Sequence, residues 1–565
     1  MAVPDRVRFR DFARWAGPLL GPDRPFITLT LIYGVGIALL SLATPIAVQL
    51  LINSVAYTGL PVPLFTLSAI LLVLLLLSAV LGALRYHLME LFRRRFLARI
   101  VAEVTLRTVH AQNPFFEDER RSDLFNRYFD IMNLQKALPK LLIGAFTIIL
   151  QAVIGFVVTS FYHPFFLAFN LAFALFVWLI WALWANGAMT SAVHLSHAKY
   201  RLAHWIETIG GSNGFYKSSR HLDFAMDRTE ERTRDYVEAH RRHFRFFFPQ
   251  AVALLILYAI ASAGLLALGG WLVIKGQLSV GQLVAAELIL ASIFYGAAQL
   301  GPYLDSLYDV VAGSEELSLF REITQEVAPN AAAARKIVPT GDLQFSAVRI
   351  PHPSGGEARF DFTIPANTRL LAHADTGTER LFSGLLKRHY RATSGLIALG
   401  GADIADFDVY ELRSEIVVLN RPTIVETTIR EYLGLSCAQR DPVRTMDALR
   451  TVGLHDRISE LKDGLDTQLS VNGAPLDPAE VMALKLAGAL VGEPHILVLS
   501  ELYDMVPTER LRRAFDLLGS RGVTVIYFSN RPQDLALDAF LWMGRGEQRL
   551  LSNRAEFDRA RGAPS

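Results

Sequence analysis

The chain has one cysteine, Cys437, in 565 residues, which excludes an internal disulfide and any cysteine-based zinc cluster. Cys437 reads as a small buried apolar filler. Charge is scarce as well: charged residues make up 19% of the chain and the formal net charge is +2, too little to imply a nucleic-acid partner. No metal-ligand spacing is read, so no metal site is expected. Apolar residues fill the space left by charge. They make up 52% of the sequence, with a mean hydropathy of +0.30, and at this length that points to several domains with membrane spans.

Six apolar stretches are long enough to cross a bilayer, which takes about 20 helical residues. They are 26–55, 63–89, 139–161, 163–186, 248–274 and 280–312. The first is too long, and starts too far in, for a cleaved signal peptide, and is expected to be permanent. The short loops "AYTGLPVP" and "SFYHPF" lack lysine and arginine, and the third has only Lys275. By contrast, the N-terminal arm carries Arg6, Arg8, Arg10, Arg14 and Arg24, and the segment after span two carries Arg93, Arg94, Arg95, Arg99, Arg107, Arg120 and Arg121. The arginine-rich side is therefore expected to be cytoplasmic, with both termini on it. The inside connections, roughly 90–138 and 187–247, are helical in pattern and too long for ordinary connectors. Each turns at a short segment, "NPFFEDERRSDLFNRYFDI" or "IETIGGSNGFYKSSRHLDFAMDR". Either segment reads as a small docking helix for a cytoplasmic partner or as the tip of a solvated hairpin.

The expected domains are an N-terminal arm (1–25), a six-span membrane domain (26–312), a linker (313–340) and a soluble domain (341–565). In the last, short β-type runs such as "TRLLAHA", "EIVVLN", "HILVLS" and "VTVIYFS" alternate with helical ones. That alternation predicts an α/β domain with a parallel core sheet.

This order of elements resembles a half-transporter of the ATP-binding-cassette (ABC) exporter family over nearly the whole chain. The stretches "TSGLIALGGADIADFDVYELRSEIVVLNRPTIVETTIREYL", "ISELKDGLDTQLSVNG" and "ALVGEPHILVLSELYD" resemble, in turn, the segment after the family's phosphate loop, the approach to its signature motif and its acidic strand. The resemblance implies six spans followed by an ABC-type nucleotide domain, ATP and magnesium as ligands, and a homodimer or a heterodimer with another half in a lipid membrane. A bacterial inner membrane is the expected location.

The family's phosphate loop reads Gly-x-x-x-x-Gly-Lys-Ser/Thr: glycines let backbone amides close on phosphate, the lysine neutralises it and the hydroxyl binds magnesium. In "LLAHADTGTERLFSGLL" those four positions are Ala374, Glu379, Arg380 and Leu381, with only the intermediate Gly377 kept. Alignment from the helix instead puts Glu379 on the lysine. Carried over in the same way, the magnesium-orienting aspartate is Ser500, whereas the carboxylate that polarises the attacking water survives as Glu501. The magnesium-reporting glutamine is Asn420, the switch histidine Asn530 and the adenine-stacking aromatic His352. The signature reads Leu476-Asp477-Pro478-Ala479-Glu480, in which proline removes an amide donor and two acids repel phosphate. A nucleotide domain without ATPase activity is expected, and three readings follow. The chain is a regulatory or scaffolding half, a carrier driven by an ion gradient, or a half that holds ATP without turnover through Arg380. The carrier needs membrane carboxylates, for which Glu287 in the sixth span is the candidate, with Asp305 and Asp309 four residues apart nearer the inner side.

Overall fold

The computed structural model describes residues 6–58, 61–112, 126–326, 338, 340–437, 441–531, 535 and 537–562. The chain divides into two compact units, Met1–Gln325 and Glu326–Ser565.

The described part of the first unit is helical: α1 (Phe9–Leu20), α2 (Arg24–Leu40), α3 (Ala43–Thr58), α4 (Pro61–Val109), α5 (Asp130–Lys140), α6 (Phe146–Ser160), α7 (Pro164–Gly211), α8 (Ser219–Ile274), α9 (Val280–Ala298) and α10 (Gly301–Arg321). Six helical stretches are long and apolar enough to cross a membrane. With 49, 48 and 56 residues, α4, α7 and α8 are each more than twice the length that crossing takes. The excess is polar. In the first half of α8, Arg234 pairs with Glu230 at 2.7 Å and Arg228 with Glu231 at 2.6 Å, the one-turn spacing that supports a solvated helix. Glycine brings the apolar halves together: a Cβ at Gly187 of α7 would lie 2.4 Å from the Phe246 ring of α8, and one at Gly155 of α6 2.6 Å from Ile293 of α9. Asn170 of α7 donates to the Thr159 hydroxyl of α6 at 2.9 Å, as an interhelical polar contact does.

Several expected boundaries differ. The first span is two helices, parted at Ser41 and Leu42 just ahead of Pro45, which cannot donate to the helix ladder. The sixth is also two, parted at Gln299 and Leu300 before Pro302. Its second part continues through the expected start of the linker to Arg321, and residues 310–320 are all buried. Helix α10 packs on α1, α5 and α7 and so lacks the one-sided pattern that marks a surface helix. The second inside connection turns through non-helical residues 212–218, so no separate docking helix forms there. Most of the first docking segment, 113–125, lies outside the described residues, as do Arg120, Arg121, residues 327–337 and residue 339 of the expected linker.

Between α5 and α6 the backbone makes a π turn, Leu141–Ala145, two residues after Pro139. A π turn shifts the carbonyl ladder and frees acceptors. Arg85 of α4, 4% exposed, supplies the donors: its guanidinium bonds the Leu142 carbonyl at 2.8 Å, the Ile143 carbonyl, and the Thr147 hydroxyl at 2.7 Å. Gly34 of α2 lets Leu150 of α6 approach beside it, since a Cβ there would lie 3.1 Å from the Leu150 side chain.

The second unit holds two sheets. The antiparallel one has the order β2-β1-β4-β5, from β1 (Leu343–Pro351), β2 (Glu357–Ile364), β4 (Ser394–Leu399) and β5 (Ala402–Asp403). The other has the order β10-β9-β3-β8-β7-β6, from β3 (Arg369–Ala374), β6 (Ile416–Leu419), β7 (Ile496–Leu499), β8 (Thr524–Phe528), β9 (Ala539–Met543) and β10 (Gln548–Leu551). From β9 to β6 its strands run parallel. Every residue of β7 and β8 is buried, as expected of parallel strands covered on both faces. The helices are α11 (Thr378–Leu386), α12 (Val409–Glu415), α13 (Ile429–Gly434), α14 (Pro442–Thr451), α15 (His455–Glu460), α16 (Pro478–Gly492), α17 (Thr508–Ser520) and α18 (Arg554–Gly562).

Candidate functional site

Parallel strands in one sheet end along one edge, and the crevice outside their carboxyl ends is where such sheets take ligands. Here β3, β8, β7 and β6 are neighbours, with Ala372 beside Phe528, Tyr527 beside Leu499, and Leu499 beside Leu419. The residues that follow them therefore collect at that edge: Ala374 to Gly377, Ser529 and Asn530, Ser500 and Glu501, and Asn420.

The connection from β3 to α11 is only Asp375, Thr376 and Gly377. Gly377 has φ +87°, a left-handed conformation that glycine adopts without strain. The imidazole of His352 lies against it, since a Cβ at Gly377 would be 3.4 Å from Nε2. That nitrogen is buried and unpartnered. So the residue expected at the adenine-stacking position lies against the loop itself. On α11, Glu379 is the charged group that faces Glu501, and burial first, with the Glu501 charge second, pushes its carboxyl up to about 7. Arg380 is exposed, and its Nε donates to the Tyr390 hydroxyl just beyond the far end of α11 at 3.2 Å. Leu381 is 4% exposed and belongs to the core with Phe382. The residue expected at the magnesium-hydroxyl position by alignment from the strand is thus hydrocarbon in the core.

At the acidic strand, Ser500 is a short cap whose Oγ accepts from the Leu502 amide, while Glu501 is exposed. Sequence reasoning passed over Asp504 beside them. Its carboxylate accepts from the Tyr527 hydroxyl, from Ser529 Oγ at 2.6 Å and from the Asn530 amide at 3.2 Å, while Arg531 donates to its carbonyl at 2.7 Å. The segment carrying Asn530 is held to it. Lys485 of α16 was also missed. Its ammonium donates to the carbonyls of Arg421 and Thr423, fixing the loop just after the exposed Asn420. Burial lowers that ammonium to about 8.

The signature residues lie at the start of α16, outside this group. Asp477 caps its own helix, its carboxylate accepting from the Glu480 amide at 2.7 Å while the Glu480 carboxylate accepts from the Asp477 amide at 2.9 Å. This is a capping box, with Pro478 in the first helical turn. Arg457 holds Glu480 at 3.0 Å. The amides at this helix start bond its own carboxylates. The D-x-x-E spacing was the available signal.

The membrane carboxylates lie in the first unit. Glu287 on α9 is partly buried, and its Oε2 has no partner. Asp305 and Asp309 are exposed, one helical turn apart on α10.

Residues 27–297 match the ABC transporter transmembrane region. The ABC transporter ATP-binding proteins YknV and YfiC of Bacillus subtilis (strain 168) are 27% and 23% identical over 48% and 70% of this chain. The chain spans 46% and 66% of their respective lengths. The alpha-hemolysin translocation ATP-binding protein HlyB of Escherichia coli O157:H7 is 28% identical over 41% of this chain and 34% of its own. A bacterial Atm1-family ABC exporter solved with ATP bound superimposes with a TM-score of 0.81 over 97% of this chain and 99% of that one, at 17% identity. An ABC exporter-type transmembrane domain followed by an α/β domain of the matching fold is thus the architecture of this chain.

Proposed function

We propose that this chain is an exporter-type half whose nucleotide domain does not hydrolyse ATP. It acts as a regulatory or scaffolding subunit, in a homodimer or with another half, in a bacterial inner membrane with both termini inside. The observation that carries this reading is Glu379, a carboxylate held against the charge of Glu501 in the turn where the fold's phosphate loop belongs. The residues do not fit a magnesium triphosphate. Arg380 is engaged with Tyr390, Leu381 is in the core, His352 lies against Gly377, and α16 caps itself with two acids. Glu501 alone has neither metal nor phosphate to act with. Equilibrium titration of the full-length protein in nanodiscs with magnesium-ATP tests the reading. No saturation up to millimolar nucleotide is expected. Micromolar binding with turnover contradicts the proposal, and binding without turnover favours ATP as a structural ligand.

One observation favours a second reading, the ion-driven carrier. The Glu287 carboxylate keeps an unpartnered, buried oxygen within a membrane-crossing stretch, where carboxylates cost at least about 2.5 kcal/mol and are retained for function. On that reading, proteoliposomes show proton flux that Glu287→Gln reduces at least about tenfold, a loss of roughly 1.4 kcal/mol. Equal flux through both forms removes Glu287 from any proton path.

A further inference from the structure

In the first unit, three potential ligands converge away from all the residues discussed so far. His197 projects from α7, and Glu315 and Glu316 from the buried end of α10, with 8%, 5% and 0% of their surfaces exposed. His197 Nε2 is 3.0 Å from Glu315 Oε2 and 3.9 Å from Glu316 Oε1. The three donor atoms all lie within 4.8 Å of one another. Arg127 holds the other Glu316 oxygen at 2.7 Å, which turns Oε1 toward the imidazole. Glu316 Oε1 has no hydrogen-bond partner although the residue is fully buried.

Two carboxylates face one guanidinium, so with both ionised one buried negative charge is left over, which a bound cation or a proton on a carboxyl neutralises. A proton on His197 answers only part of this. The imidazolium would reach Glu315 at 3.0 Å, but 3.9 Å to Glu316 Oε1 is beyond hydrogen-bond range, and the orphan oxygen would stay orphaned. A metal ion between the three atoms takes all of them as ligands at once, with the side chains drawing in to ligand distances of about 2.0–2.2 Å. One imidazole and two carboxylates, with a fourth position left for water, are a zinc-type donor set that other first-row divalent ions also accept. The imidazole disfavours calcium and magnesium, which take oxygen. Arg127 then has the outer-shell role of orienting a ligating carboxylate.

We propose that His197, Glu315 and Glu316 bind one divalent transition-metal ion of the zinc type, which clips α7 to the end of α10. The site does not depend on how the nucleotide domain behaves. Untagged full-length protein in nanodiscs, stripped with chelator, is dialysed against zinc and its metal content measured, and cobalt is then used as a visible-absorption reporter. The account expects one zinc per chain and ligand-field bands from cobalt. It also expects affinity to fall by on the order of a hundredfold or more in His197→Gln. Glu315→Gln, which leaves the Arg127 pair untouched, is a second variant expected to weaken binding in a chain whose elution profile is unchanged. No stoichiometric zinc in the native chain, or equal retention by the native chain and both variants, overturns the proposal.

Discussion

Glu379→Gln binds magnesium-ATP on the order of a hundredfold more tightly than the native chain at pH 8, and hydrolysis stays at background. The cause is electrostatic. Two unit charges about 4 Å apart in surroundings of effective dielectric near 20 repel by roughly 4 kcal/mol. Partial exposure and salt reduce that, and about 2.7 kcal/mol already amounts to a hundredfold in affinity. Because the Glu379 carboxyl is pushed up to about 7, acid achieves what the substitution does. Native affinity rises as pH falls from 8 to 6, whereas that of Glu379→Gln stays flat.

The same group gives a stability test of definite sign. Its folded pKa, about 7, lies above the ordinary 4.5, so between those values the folded chain binds more protons than the unfolded one and stability falls as pH rises through the window. Glu379→Gln, always neutral, escapes this loss. Its advantage in thermal unfolding is expected to be close to zero near pH 4 and to reach an upper bound of about 3 kcal/mol at pH 8. A pH-independent difference would show that Glu379 is not protonated in the fold.

The second large effect belongs to the membrane unit. Arg85→Met is expected to lose about 3 kcal/mol, a drop of roughly 5–10 °C in unfolding temperature. It removes the guanidinium that bonds the Leu142 and Ile143 carbonyls and the Thr147 hydroxyl, and no water in the apolar interior replaces those donors. Arg85→Lys recovers little, because a single ammonium does not reproduce a planar fork. A thermal scan of Arg85→Met that matches the native chain would contradict the role given to Arg85.

The residues explain why some features were legible and others were not. Membrane stretches and strand runs announce themselves by hydropathy and period, so the two-part architecture was readable. Position 379 was readable too, because loop chemistry resides in residue types. Arg85 was not, since its meaning depends on a π turn almost sixty residues away that local propensity does not encode. Neither was the continuation of α10. Glu315, Glu316 and Ser318 look like solvated linker residues until the fold buries them among α5, α7 and α1. The capping box at Asp477 was legible in its spacing, yet as a motif position it read only as a loss.

The measurement that tests the central claim most directly is steady-state phosphate release from the full-length protein in nanodiscs, with saturating magnesium-ATP, beside Glu501→Gln. The account predicts that the two are indistinguishable from each other and from empty nanodiscs. Turnover in the native chain that Glu501→Gln abolishes would show a working motor in this site and contradict the account.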